Sequence, residues 1–176
     1  MKAKFIFIIS LITICISSCK KEEKSDEIQL RWQGFLDVLK QKNVTEFKEY
    51  ASDTIRCYMC IENTEHERKV IEYLRDNDST WYDKIYDEKI YLPINKFIEE
   101  DFDLIFTEDF VELLKNSETI FSKREFDEYG VATSNGGYEI LVTTTKPTLG
   151  HEGGQHDFSF KKINGKYILS EISTIP

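Results

Sequence analysis

The densest run of chemically capable side chains is residues 149–158, Leu-Gly-His-Glu-Gly-Gly-Gln-His-Asp-Phe. It holds two imidazoles, two carboxylates and a glycine pair. If Gly153 and Gly154 form a two-residue hairpin turn, Glu152 pairs with Gln155 and His151 with His156. Directly opposite residues share a face of a sheet, with Cβ atoms ~5 Å apart. Both histidines then lie with Leu149, Phe158 and Phe160, while Glu152 and Asp157 point the other way. That takes the carboxylates away from the imidazoles, and stable zinc sites use three or four protein ligands. No metal and no cofactor is therefore expected. His151 and His156 read either as a polar hairpin tip or, with Tyr138 and Tyr167 on neighbouring strands, as the rim of a ligand pocket.

Cys57 and Cys60 form the next constellation, in Arg-Cys-Tyr-Met-Cys. A zinc ribbon needs a second cysteine pair, and the sequence has none. Thr54, Ile55, Tyr58 and Met59 are strand-like neighbours. In an extended strand, residues three apart are separated by ~10 Å, beyond the ~7 Å limit for a disulfide. A bridge therefore requires a turn at Tyr58-Met59. A structural disulfide, two unpaired thiols and a redox pair all remain open. Glu99, Glu100, Asp101 and Asp103 invite a calcium reading. Calcium loops, however, place ligands on alternate residues of a turn with a glycine, and these four fall on a helical pattern, so they read as a solvated face. Trp81, Tyr82, Tyr86 and Tyr91 read as packing or as a stacking platform for a sugar or other flat ligand. No nucleophile elbow is present, and the glycines at 150–154 precede a strand rather than the helix N-terminus a phosphate cradle needs. No catalytic residue is assigned.

These side chains need elements to hold them. Residues 26–42 carry Ile28, Trp32, Phe35, Leu36 and Leu39 at helical spacing, one apolar face of an amphipathic helix. Asn43-Val44-Thr45-Glu46 looks like a capping box for a second helix with Val44, Phe47 and Tyr50 inward. Thr64-Glu65-His66-Glu67 is another, opening a helix to about Arg75 with Val70, Ile71 and Leu74 apolar and His66 solvated. A short helix at 80–87 and a strand at 89–92 lead to a helix at 94–106. Thr107 then caps a helix at 108–115. From Tyr129 the period becomes two. Strands 129–133 and 138–145 flank Ser-Asn-Gly-Gly, and Asn164-Gly165 joins strands around 158–160 and 167–169. The C-terminus is therefore expected to be a three- or four-stranded antiparallel meander.

The N-terminus carries an address. Lys2 and Lys4 precede an apolar run, Phe5 to Ile16, too short to span a hydrocarbon core but suited to a secretory leader. Ile16-Ser17-Ser18-Cys19 follows and resembles the bacterial lipobox. The resemblance implies cleavage before Cys19 and lipidation of that residue, with residues 1–18 the signal peptide, 19–26 a tether and 27–176 one globular domain. Two or three acyl chains make such an attachment durable, so the protein is expected in the bacterial cell envelope as an outer-membrane lipoprotein, on the periplasmic or the surface-exposed leaflet. Lys21-Glu22-Glu23 resembles the tag after the lipidated cysteine of surface-exposed Bacteroidetes lipoproteins. Loss of residues 1–18 takes two lysines and moves the formal charge from −9 to −11. Such a charge argues against nucleic acid and against basic-patch adhesion to an anionic bilayer.

Helices followed by a curved antiparallel sheet, ending in Phe158-Ser159-Phe160, Asn164-Gly165-Lys166-Tyr167 and Ile168, resemble the nuclear transport factor 2-like, or ketosteroid isomerase-like, cone. The fold class expected is thus α+β, with N-terminal helices packed on a curved C-terminal antiparallel sheet. With no catalytic constellation in view, the leading expectation is a non-catalytic binding module for a small molecule or protein. The alternatives are a ketosteroid isomerase-like small-molecule enzyme, an immunity-type inhibitor of a protein partner, and a redox role for the cysteine pair.

Overall fold

The computed structural model describes residues 23–124, 136–150 and 152–175. Cys19 and its flanks, the expected strand at 129–133 and His151 lie outside the described residues. The fold is α+β: seven helices and a six-stranded sheet among the described residues. No helix there is long and apolar enough to cross a membrane.

The first helix, α1 (Glu23–Lys40), begins inside the segment expected to be tether. It buries Ile28, Trp32, Phe35, Leu36 and Leu39, the face their spacing marks out. Asn43 caps α2 (Val44–Tyr50): its Oδ1 accepts from the Glu46 N–H at 3.2 Å and its Nδ2 donates to the Glu46 carboxylate at 3.0 Å. Phe47 is buried, whereas Val44, expected inward, is exposed in the first turn. Strand β1 (Ala51–Cys57) runs into a 3₁₀ turn at Tyr58–Ile61. The Thr64 capping box is formed on both sides and starts α3 (Glu65–Asn77). A short helix, α4 (Trp81–Asp83), continues as a π-helical turn, Lys84–Lys89, and leads to β2 (Tyr91–Pro93).

The helix expected at 94–106 is two helices, α5 (Ile94–Glu100) and α6 (Phe102–Ile105), broken at Asp101. Phe97 and Phe102 are five positions apart, about 140° apart around an uninterrupted helix. The break lets both pack against Phe47, with ring centroids 5.8 and 4.9 Å away. Thr107 caps α7 (Glu108–Asn116), its hydroxyl accepting from the Phe110 N–H.

Four C-terminal strands form the antiparallel meander: β3 (Thr119–Arg124), β4 (Gly137–Thr145), β5 (Gly154–Ile163) and β6 (Lys166–Ile175). Asn164 and Gly165 both take positive φ in a two-residue turn between β5 and β6, as an Asn-Gly hairpin requires. The sheet extends further than the meander. Its order is β2-β1-β6-β5-β4-β3, and β1 joins β6 in parallel, so the whole is mixed rather than antiparallel throughout. A parallel pair needs a long crossover, and all the helices from α3 to α7, with β2–β5, lie between β1 and β6 in sequence.

One face of the sheet is filled. Ile140, Val142, Phe158, Phe160, Leu169 and Ile172 meet Trp32, Phe35, Phe47 and Phe106 in one continuous core. Phe35 contacts six other aromatic rings there, including Phe158 at 6.1 Å and Phe160 at 5.7 Å. Rings at these separations add to the large apolar area each removes from water.

Candidate functional site

Because the helix-facing side of the sheet is packed solid, room for a ligand appears beyond the β2 edge. There, α3, the π-helical turn, β2 and α5 enclose a half-open cavity of about 480 Å³. Its apolar floor includes Ile71 and Ile85. The capping box fixes the first turn of α3 and so places His66 and Glu67 on the wall. Lys96 and Glu100 come from α5. Cys60 closes the remaining side, and its position is set by a disulfide to Cys57 with Cα atoms 5.4 Å apart. The strand ends at Cys57 and the 3₁₀ turn folds Cys60 back, which is the turn that a bridge over this spacing requires.

Asp101, at the break between α5 and α6, also lines this cavity. It is only 2% exposed. Asn63 donates from Nδ2 to its Oδ1 at 2.9 Å. Burial pushes its carboxyl up to about 6, helped by the charges of Glu67 and Glu100 and opposed by Asn63 and Lys96. Desolvation penalises the charged form of any acid. Near neutral pH this carboxyl can therefore give or accept a proton, or present a hydroxyl to an acceptor, facing a space of small-molecule size.

Comparison with protein-family models, with curated proteins and with solved structures finds no match to this chain. The chemistry of the site is thus read from its side chains alone.

Of the pocket-rim residues expected from the sequence, His151 lies outside the described residues, and His156, Tyr138 and Tyr167 do not line the cavity. Tyr138 and Tyr167 pack edge to face on the helix side of the sheet, centroids 5.4 Å apart, both nearly buried. His156 lies on that same side but four residues along β5 from Phe160, the partner of Tyr138, so ~13 Å away. It packs against Phe110 at 4.7 Å, and its Nδ1 is 3.1 Å from the Thr144 hydroxyl. Burial lowers its proton affinity. The expected two-residue turn at Gly153-Gly154 is not formed: Gly154 already belongs to β5 and pairs with Thr145, and His156 pairs with Val142 rather than with His151. Residues 146–150 and 152–153 belong to a longer connection. Gly153 has φ +95°, and a Cβ there would lie 2.8 Å from the Thr145 carbonyl oxygen, so the glycine serves a close backbone approach.

Three acids are buried against expectation: Asp101, Asp157 and Glu139. The sequence pattern puts Asp101 on a solvated acidic face, and Glu99, Glu100 and Asp103 are indeed exposed. Yet Asp101 is four residues after Phe97 and four before Ile105, the spacing of a shared helix face. Asp157 points away from the core, as alternation along β5 requires, but is only 4% exposed on the outer face of the sheet. Ser159 and Ser173 donate to its Oδ2 over 3.5 and 3.4 Å, and its Oδ1 has no hydrogen-bond partner among the described residues. Burial, with Glu139 and Glu171 on the flanking strands, pushes its carboxyl up to about 7. Glu139 in turn is paired with Arg124 at 2.5 Å. No group of three His, Cys, Asp or Glu side chains among the described residues is placed to hold a metal ion.

Proposed function

We propose that this chain is an envelope-anchored lipoprotein, held to the outer membrane through lipid on Cys19, whose domain binds a small molecule in the cavity floored by Ile71 and Ile85. The observation that carries the binding reading is Asp101: a buried carboxyl, raised to about 6, that accepts from Asn63 through one oxygen and lines open space. It suits a ligand that offers a hydrogen-bond acceptor to the protonated form or an amine to the ionised form. His66, Lys96, Glu67 and Glu100 around the mouth supply polar contacts of both signs.

The chain isolated from its native envelope should carry a small molecule detectable by native mass spectrometry. Asp101→Ala should lose it while the fold, followed by circular dichroism, persists. A cavity that comes out empty in the wild type, or a ligand retained by Asp101→Ala, defeats the reading. The anchor is tested separately. A fatty-acid analogue should label the wild type in cells and leave Cys19→Ala unlabelled.

The same carboxyl favours one alternative, a small-molecule enzyme. A group that titrates near the working pH is suited to general acid–base catalysis. Turnover of the bound molecule that disappears in Asp101→Asn with affinity intact would select the enzyme over the binding module.

A further inference from the structure

The turn that walls the cavity has a second side. Beyond Ile61 and Asn63 lies a separate open groove of about 620 Å³, between the 3₁₀ turn, the π-helical turn and the end of β6. Tyr58 and Tyr86 form its aromatic wall, with ring centroids 6.1 Å apart and planes inclined at 36°. Tyr82 extends that wall, 4.6 Å from Tyr86 and 60% exposed. Glu62, Asn63, Ser173 and Thr174 line the rest.

The wall is pre-set. Cys57 and Cys60 bridge across Tyr58 and fix the backbone on both sides of it. The Arg56 guanidinium lies 4.5 Å over the Tyr58 ring, donates to its hydroxyl, and is itself held by Glu171 at 3.1 Å. A surface ordered before binding loses less freedom when a ligand arrives.

We propose that this groove is a second binding site, for a neutral saccharide. The alternatives fail on chemistry. An anion would meet Glu62 in a chain of net charge −9. A cation would find one face of Tyr58 already taken by the Arg56 guanidinium. A nucleobase finds no sandwich here, since that needs two parallel planes roughly 7 Å apart and the Tyr58 and Tyr86 planes are inclined at 36°. A sugar instead lays its C–H face on an exposed ring and turns its hydroxyls outward, where a carboxylate, an amide and two hydroxyls can pair with them. The site is independent of the Asp101 reading, although Ile61 lines both spaces and Asn63 of this groove donates to Asp101 of the other.

The test uses the full lipidated chain in a detergent without a sugar headgroup, titrated with maltohexaose, cellohexaose and chitohexaose by calorimetry. At least one hexasaccharide should bind saturably. Tyr86→Ala should weaken it roughly five- to ten-fold, the loss of one stacking contact, and Tyr86→Phe should stay within about twofold by the same measure. Tyr82→Ala, at an exposed position, should weaken it without disturbing the fold. His66→Ala, on the wall of the first cavity, should leave it unchanged. No saturable binding by any of the three overturns the proposal. So does binding that the Tyr82 and Tyr86 variants leave intact, or that His66→Ala abolishes, since it would then belong to the first cavity.

Discussion

Asp101 and Asp157 are both aspartates, both nearly without solvent contact, and both held well above the usual carboxylate range by burial. They differ in what surrounds them. Asp101 has an amide donor at good distance and a cavity in front of it. Asp157 has two hydroxyls at the limit of hydrogen-bonding distance, acids on both neighbouring strands, and an oxygen with no partner among the described residues. The first is a buried acid with somewhere to send its proton. The second is a buried acid whose proton removes a desolvated charge and, beyond that, quiets repulsion from Glu139 and Glu171. Burial and a raised proton affinity therefore do not by themselves mark a site; the adjoining open space does.

The sharpest test of that contrast is Asp157→Asn. Each aspartate holds its proton more tightly folded than unfolded. The stability this gives is complete below the ordinary value near 3.8 and is lost as pH rises through about 6 for Asp101 and about 7 for Asp157. At pH 8 both are ionised in the fold and both cost stability. Asparagine at 157 removes that cost, so Asp157→Asn should stabilise the chain at pH 8 by about 2–4 kcal/mol and by much less at pH 5. Urea unfolding at the two pH values measures it. A variant no more stable than wild type at pH 8 would show that the outer-face acid is solvated after all.

Asp101→Asn should show the same sign with a smaller gain, about 1–3 kcal/mol at pH 8, because its proton affinity is raised less. Its carbonyl can still accept from Asn63. Asp101→Ala is different: it leaves the Asn63 amide short of an acceptor and should cost about 1–3 kcal/mol. Access separates the two acids further. Carbodiimide coupling of glycine ethyl ester at pH 5, mapped by mass spectrometry, should modify Asp101 in the folded chain and spare Asp157. Equal labelling of both would erase the distinction.

Much of the scaffold was legible because it follows from periodicity. The face of α1, the two capping boxes and the Asn164-Gly165 hairpin depend on residues a few positions apart, and local chemistry decides them. What escaped depends on contacts far apart in sequence. The parallel pairing of β1 with β6 has no local signature. The neighbour of His156 differs from the expected one because a glycine pair suggests a turn at Gly153-Gly154: the partner strand is β4, not residues 149–152. What decided it was Ile140 opposite Phe158 and Val142 opposite His156, not the loop. Asp101 was half visible: its spacing from Phe97 and Ile105 places it on the apolar face, but three exposed acidic neighbours masked it. The cavity itself lies between α3, β2 and α5, and no spacing within any one of them announces it.

The smallest effect tests whether the wall of the cavity and Asp101 act together. Thr64→Ala removes the hydroxyl that accepts from the Glu67 N–H at 3.2 Å, and it loosens the return bond from the Thr64 N–H to the Glu67 carboxylate at 2.7 Å. Loss of such a cap costs about 1 kcal/mol. Glu67 is also one of the charges that raises Asp101. Once uncapped, its carboxylate can swing toward water, and the repulsion on ionised Asp101 falls. At pH 5, where Asp101 is mostly protonated, that relief is worth little and the full cost of the lost cap appears. At pH 8, where Asp101 is charged, the relief offsets part of it. Thr64→Ala should therefore destabilise the chain more at pH 5 than at pH 8, whereas general fraying of α3 would cost the same at both. Because Thr64 has no contact with the outer face, adding Asp157→Asn should leave that pH difference unchanged, as expected of independent sites. A cost equal at the two pH values would mean that the capping box holds the helix without tuning the acid beside it.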